Sequence, residues 1–176
     1  MQRPQLEHII RAAAGITGTE RFVVIGSQAI LGQFPDSPME LLISVEADLV
    51  SLQSPNDADL IDGSIGEASP FHRTFGYYAH GVSAERAVLP EGWQERLIPI
   101  QNENTGGGAG LCLEVHDLAV SKLVAGREKD VSFIRGLLRH GLANPELISK
   151  RLEMAPLSSD WRETSLSRLH KLLTKT

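Results

Sequence analysis

A short apolar strand that ends at a glycine-serine turn is the feature that most constrains this chain. Residues 22–25 are apolar and mostly β-branched, a pattern that predicts an inner strand of a sheet. Gly26 and Ser27 follow, and helical spacing begins over 28–32. Glycine allows a sharp turn and a close approach to a ligand, and a helix that starts there directs free N–H groups at whatever binds. The sequence therefore predicts a phosphate-binding turn.

Two carboxylates occupy alternate positions in the next predicted strand, residues 41–50. Glu46 and Asp48 stand at i and i+2, so they lie on one face of that strand. Two neighbouring acids repel each other unless a cation lies between them, and Mg²⁺ takes such oxygen ligands while keeping substrate phosphates in its shell. The pair therefore predicts a metal site for phosphoryl or nucleotidyl transfer. The alternative is the solvated face of an edge strand.

This order of elements resembles the nucleotidyltransferase fold shared with DNA polymerase β. The motif of that family is an apolar strand, Gly-Gly or Gly-Ser, a helix, and then Asp-apolar-Asp/Glu-apolar on the next strand. Ile25-Gly26-Ser27 and Glu46-Ala47-Asp48-Leu49 take these places here. The chain departs from the motif at Glu46, where the family has Asp, and in the 18 residues between Ser27 and Glu46. A turn at 34–38 would absorb that added length.

A second block, residues 113–130, resembles the region after the core sheet in AbiEii-type nucleotidyltransferase toxins. In those proteins a helix carries a lysine, and a functional aspartate follows in an Arg-x-Lys-Asp-like stretch. Lys122 and Asp130 match these two positions. The resemblance implies that Lys122 neutralises charge at the triphosphate and that Asp130 orients the lysine or acts as a base. The alternative is an exposed helix with charged i,i+4 pairs.

The spacing of Lys122 and Asp130 also predicts a break in the helix. Eight residues of continuous helix would separate them by about 12 Å and rotate them by about 80°. They could not form a tight pair on a straight helix. We therefore expect the helix to stop or bend near Gly126-Arg127, so that Asp130 turns back towards the lysine.

The sequence offers no clear third carboxylate for the metal. Polymerase-like sites often add one on a neighbouring strand. Here the predicted strand 77–82 carries Tyr78 and His80 on one face. His80 is a candidate base or ligand, because a neutral imidazole can do either; the alternative is a partly buried structural histidine. Three acids in flanking loops are further candidates: Asp62, Glu67 and Glu85.

Composition and element order predict an α+β fold, a nucleotidyltransferase-like mixed β-sheet flanked by helices with a helical C-terminal part. With 176 residues, 41% of them hydrophobic, the chain has enough apolar surface for a real core. We expect the α/β core over 1–115 and a helical part packed on it over 116–176. Further strands are predicted at 87–89 and 96–101, with a hairpin connection at 102–110.

Several classes of protein are disfavoured. No apolar run approaches the roughly 18 residues of a membrane helix, and no signal peptide is recognisable, so no membrane association is expected. The single cysteine, Cys112, is predicted to be a core residue and suits a reducing cytoplasm. A net charge of −5 disfavours a general nucleic-acid binder, although the basic last third allows a local groove.

The resemblance implies a Mg²⁺-dependent transfer of a nucleotide from an NTP to a hydroxyl of an RNA, such as a tRNA end, or of a protein. A toxin–antitoxin or phage-defence setting with a cognate antitoxin follows from the resemblance alone. The expected site residues are Gly26, Ser27 and Lys122 for the nucleotide, Glu46 and Asp48 for the metal, and Glu46, Asp48, Lys122 and Asp130 for catalysis. The alternatives are a catalytically degenerate nucleotidyltransferase and an antitoxin-like regulatory module that acts through its basic helices.

Overall fold

A five-stranded mixed sheet forms the centre of the protein in the computed structural model, which describes residues 1–174. The last two residues of the predicted helical part, Lys175 and Thr176, lie outside the described residues. The strands are β1 (Arg21–Ile25), β2 (Glu46–Ser51), β3 (Tyr78–Gly81), β4 (Ile98–Ile100) and β5 (Ala109–Cys112). Their order in the sheet is β3-β2-β1-β5-β4. Pairing is antiparallel for β1–β2 and β4–β5 and parallel for β1–β5 and β2–β3.

Helices cover this sheet and continue beyond it. They are α1 (Arg3–Thr17), α2 (Ile30–Gln33), α3 (Asp57–Ile65), α4 (Pro70–Phe75), α5 (Val115–Ala125), α6 (Glu128–Arg139), α7 (Pro145–Glu153) and α8 (Ser159–Leu173). Helix α3 packs on β3 and against α1, α2 packs on β4 and β5, and α5 contacts α6, α7 and α8. The predicted α+β class, with a mixed sheet flanked by helices, is confirmed. Among the described residues, none of the helices has the length and apolar character needed to span a membrane.

The first predicted strand is confirmed, because β1 lies inside the sheet and its residues 22–25 are all buried. Burying one such side chain contributes about 1.5–3 kcal/mol. The helical segment predicted after it at 28–32 is present as a single 3₁₀ turn, Ser27–Ala29, followed by the four residues of α2. A helix of this length has only a small macrodipole. A bound phosphate would therefore contact mainly the backbone of the turn and the side chains at the start of the helix.

The second strand begins later than predicted. Strand β2 starts at Glu46, and Met39–Leu41 form a 3₁₀ turn, so the prediction of a strand from 41 was wrong. The cause is tertiary. The N-terminal ammonium of Met1 donates to the carbonyls of Leu42 and Ser44 at 2.5 and 2.7 Å, so these groups are not free for a neighbouring strand.

The connection between β3 and β4 also differs from the prediction. No strand forms at 87–89; this segment is irregular and lies between 3₁₀ turns at Ala84–Arg86 and Trp93–Arg96. Pro90 follows directly, and because it has no N–H for a sheet hydrogen bond it disfavours a strand that would end here. The strand predicted at 96–101 is present as β4. The hairpin predicted at 102–110 is confirmed, since it joins β4 to the antiparallel β5.

Candidate active site

All six residues expected at the site line one cavity of about 530 Å³. They come from the β1 turn, from β2, and from α5 and α6, so separate parts of the sequence converge here. Its size is in the range of small-molecule sites. The cavity lining includes Gly26, Ser27, Glu46, Asp48, Lys122 and Asp130.

The β1 turn places its backbone directly against a carboxylate of β2. Gly26 has φ 72° and ψ −169°, a conformation that is essentially restricted to glycine. Ile25 pairs with Asp48 across the antiparallel strands, which brings the two segments together. A Cβ atom on Gly26 would lie 2.3 Å from Asp48 Oδ2. Glycine is therefore required both by the turn and by this close approach.

The two carboxylates of β2 share a face with an imidazole from β3. Strand β2 lies between β3 and β1, so the alternative of an edge strand for Glu46 and Asp48 is wrong. Asp48 pairs with His80 in the parallel register. The Nδ1 atom of His80 lies 3.0 Å from Glu46 Oε1 and 3.5 Å from Asp48 Oδ1. One ligand atom from each of these three residues lies within 4.8 Å of the others, a spacing that a metal ion could bridge.

The electrostatics of this cluster disfavour two negative charges in the absence of a cation. Burial, and then the neighbouring Glu46 carboxylate, raise the pKa of Asp48 from 3.8 to about 6. The imidazole of His80 and the guanidinium of Arg86 act in the opposite direction. A divalent cation would remove the repulsion and return Asp48 to its ionised form. The donors, two carboxylates and one imidazole, therefore fit a divalent metal.

A break between α5 and α6 brings Lys122 and Asp130 into contact, as predicted. Helix α5 ends at Ala125, Gly126 has the left-handed φ of 63°, and α6 starts at Glu128. The Lys122 Nζ atom donates to Asp130 Oδ1 at 3.1 Å and to Ser27 Oγ at 2.9 Å. Its side chain is 8% exposed, so the alternative of an exposed charged helix is wrong for this lysine.

The Lys122–Asp130 pair is held by further contacts. Burial lowers the pKa of Lys122, and the charge of Asp130 opposes this. Burial alone would raise the pKa of Asp130, but hydrogen bonds from Arg127 and Lys122 outweigh it and lower the pKa. Asp130 is fully buried against two cations, and the ring of Phe133 lies 4.5 Å from the Lys122 amine. This geometry favours an orienting role for Asp130 over a role as a base.

Sequence reasoning missed other residues of this cavity. Arg86 reaches it from the turn Ala84–Arg86, just before the strand predicted at 87–89, and no sequence signal pointed to it. Arg127 and Lys129 belong to the charged run next to Asp130, and that run was the available signal. Together with Lys122, these side chains place four cations around the cavity.

The remaining candidates lie apart from this cavity. A second cavity of about 360 Å³ shares Glu46 with the first, and its lining also includes Asp62, Glu67 and His80. Glu85 lies on the exposed turn Ala84–Arg86. Cys112 is fully buried in β5, which raises the pKa of its thiol to about 12, so the prediction of a core residue is confirmed.

The protein has a mixed sheet flanked by helices, with a glycine-serine turn beside an acid-x-acid strand. These features place it in the nucleotidyltransferase superfamily. Residues 4–170 match a family described as "Nucleotidyltransferase of unknown function (DUF6036)". The chain belongs to this family, and the match covers both the sheet and the helices that follow it. Comparisons with curated proteins and with solved structures gave no match.

Proposed function

We propose that this protein is a metal-dependent nucleotidyltransferase that moves a nucleotide from an NTP to a hydroxyl group. One observation carries the proposal: a carboxylate pair and a buried lysine, far apart in sequence, line a single cavity of about 530 Å³. Carboxylates suit a divalent cation, and a lysine suits phosphate oxygens. Nucleotidyl transfer requires both, because the cation and the lysine stabilise charge on the same triphosphate.

The nucleotide would be held by its phosphates. Lys122, Arg86, Arg127 and Lys129 supply positive charge around the cavity, and the hydroxyl of Ser27 adds a polar contact at the β1 turn. Asp130 fixes the Lys122 amine beside Ser27, so the lysine ammonium is oriented before the substrate binds. Such fixed donors stabilise charge that develops in the transition state with little reorganisation.

The metal would be held by Glu46 and Asp48, with Mg²⁺ as the cation that the sequence suggests. When bound, the cation would polarise the phosphate oxygens and favour ionisation of the acceptor hydroxyl. The hydroxyl oxygen then forms a bond to the α-phosphorus, its proton passes to water, and the bond from the α-phosphorus to the bridging oxygen breaks. Pyrophosphate leaves, and the Lys122 ammonium neutralises its new charge.

The acceptor and the biological setting are proposed from the resemblance to AbiEii-type toxins. The acceptor is then a hydroxyl of RNA, such as a tRNA end, or of a protein. The setting is a cytoplasmic toxin with a cognate antitoxin. A second candidate function is a degenerate enzyme that binds NTP for regulation, which the lack of a carboxylate on β3 favours, since β3 reads Tyr-Ala-His-Gly.

Titration calorimetry with each NTP, with and without divalent cation, tests the proposal. We expect metal-dependent NTP binding that is lost in Asp48→Ala. Incubation with labelled NTPs and total cellular RNA or protein should then label one acceptor class. Binding without any transfer would favour the degenerate module. No NTP binding with any divalent cation would contradict both and favour the antitoxin-like interaction module.

Replacing Gly26 with valine should abolish NTP binding. The new side chain would meet the Asp48 carboxylate, because even a Cβ atom would lie 2.3 Å from Oδ2, and it would force an unfavourable backbone conformation. Gly18→Ala is a matched control, since Gly18 also has φ 72° but open space around it. We expect this control to bind NTP normally. Unchanged NTP affinity in a folded Gly26→Val protein would contradict the assignment of the turn.

A further inference from the structure

The third donor of the carboxylate cluster is a nitrogen atom, not an oxygen. His80 lies opposite Asp48 in the parallel pair β2–β3, so its position is fixed by the sheet and not by a loop. Its Nδ1 atom faces both carboxylates, 3.0 Å from Glu46 and 3.5 Å from Asp48. A cation bound by these two acids would therefore meet the imidazole as well.

The other nitrogen of this ring faces a third carboxylate. His80 Nε2 lies 3.9 Å from Asp62 Oδ2, on helix α3. The second oxygen of Asp62 accepts a hydrogen bond from the backbone N–H of Gly81 at 2.7 Å, which fixes the carboxylate next to the ring. Metal-binding histidines almost always donate their remaining N–H to such a carboxylate, which sets the tautomer and orientation of the ring. Asp62 and His80 thus have the arrangement of a carboxylate–histidine–metal series.

We propose that His80 binds the metal through Nδ1, that Asp62 is its positioning residue, and that the site takes Mn²⁺ in preference to Mg²⁺. This inference rests on the proposed function, because the cation is the one that nucleotidyl transfer would use. Mg²⁺ favours oxygen ligands in near-ideal octahedral geometry. Imidazole suits transition metals, and carboxylates suit both cations, so a mixed set of two carboxylates and one imidazole shifts the preference to Mn²⁺.

Electron spin-echo spectroscopy of Mn²⁺ bound to the full-length protein tests the ligand directly. Inorganic tripolyphosphate replaces the NTP in the sample, so that no base nitrogen can reach the metal. We expect a ¹⁴N coupling that changes to ¹⁵N when the protein is labelled with ¹⁵N-histidine. This result requires no variant to fold. Bound Mn²⁺ without a histidine nitrogen coupling would overturn the inference.

Two variants assign the nitrogen to its residue. His80→Asp should lose the coupling, and its preference for Mn²⁺ over Mg²⁺, measured as a ratio of dissociation constants, should fall at least about tenfold. His170→Gln is the matched control, because His170 is an exposed histidine on helix α8. We expect that control to keep both the coupling and the ratio. An unchanged ratio in His80→Asp would contradict the proposal.

Asp62→Asn separates positioning from direct binding. An asparagine can still accept the hydrogen bond from Gly81, so the fold should be retained, but it cannot offer the imidazole a charged acceptor. We expect the histidine coupling to persist while Mn²⁺ affinity falls about tenfold to a hundredfold. An unchanged affinity would remove Asp62 from the proposal. If neither Mn²⁺ nor Mg²⁺ supports NTP binding by the parent protein, the proposed function itself fails; normal binding without nitrogen ligation refutes only this inference.

Discussion

Replacing Asp48 with asparagine should abolish nucleotidyl transfer and, at the same time, stabilise the metal-free protein at neutral pH. The loss of activity follows from the loss of a metal ligand. A bound cation contributes several kcal/mol to transition-state stabilisation, so a loss of about 4 kcal/mol would lower turnover roughly a thousandfold. The gain in stability follows from the same cluster, because in the absence of a metal the ionised Asp48 is buried beside Glu46.

The direction of the stability effect follows from the pKa. The pKa of Asp48 is raised from 3.8 to about 6 on folding, so the folded state binds its proton more tightly than the unfolded state does. The stability that the folded state gains from protonating Asp48 is therefore complete below pH 4, and it is lost as the pH rises through 6. At pH 7.5 the difference corresponds to about 3 kcal/mol as an upper limit, since one pKa unit is worth about 1.4 kcal/mol. Asparagine carries no charge and avoids this cost.

Urea denaturation in the presence of a chelator measures the effect. We expect Asp48→Asn to be more stable than the parent by up to about 3 kcal/mol at pH 7.5 and by less than about 1 kcal/mol at pH 4. Asp36→Asn makes the same change of charge on an exposed turn and serves as the control, with no such pH-dependent gain. A destabilised Asp48→Asn protein at pH 7.5 would show that the carboxylate is not under strain without metal.

Some of the site could be predicted because local geometry determines it. Glu46 and Asp48 lie on one face wherever the strand is placed, since side chains alternate in every strand. Gly26 follows an apolar strand, and a turn with positive φ is what such a glycine permits. The break at Gly126 followed from the distance between Lys122 and Asp130 on a continuous helix. None of these predictions required knowledge of the strand order or of which strands pair.

The remaining part depended on which strands pair and in which register. His80 reaches the carboxylates only because β3 pairs in parallel with β2, and Asp62 reaches His80 only because α3 packs on β3. A shift of one residue would have placed His80 on the opposite face. Arg86 lies on a turn whose course depends on distant contacts. The late start of β2 has a similar cause, since the ammonium of Met1 contacts the carbonyls before that strand.

The departures from the family motif fit one physical pattern. The cluster has two carboxylates and one imidazole in place of a third acid, which reduces repulsion among the donors in the metal-free protein. Four cations line the neighbouring part of the cavity, so the charge there complements a triphosphate. A site that only binds NTP for regulation would also need these cations. It would not need an ordered Lys122–Asp130 pair, because no leaving pyrophosphate has to be neutralised when no bond breaks.

Removing Asp130 should have the largest effect on stability among the site residues. Its carboxylate is fully buried and binds both Lys122 and Arg127. Asp130→Ala leaves the Lys122 ammonium, 8% exposed, without its carboxylate. Breaking a buried pair in this way costs about 3–5 kcal/mol. Lys122→Met should cost less, because Asp130 keeps its contact with Arg127, and the double variant should be more stable than Asp130→Ala alone. Urea denaturation of the three proteins measures this order.

The same three variants test whether Lys122 and Asp130 act as a unit in catalysis. Each single change should lower kcat/KM about a hundredfold to a thousandfold, because both remove the oriented cation from the developing pyrophosphate. The double variant should be at most a few-fold worse than either, since the second change removes nothing further. Arg139→Ala, on the exposed surface of the same helix α6, is the control and should leave turnover unchanged. If the double variant shows the product of the two single losses, Asp130 acts independently of Lys122, and its assignment as an orienting residue is wrong.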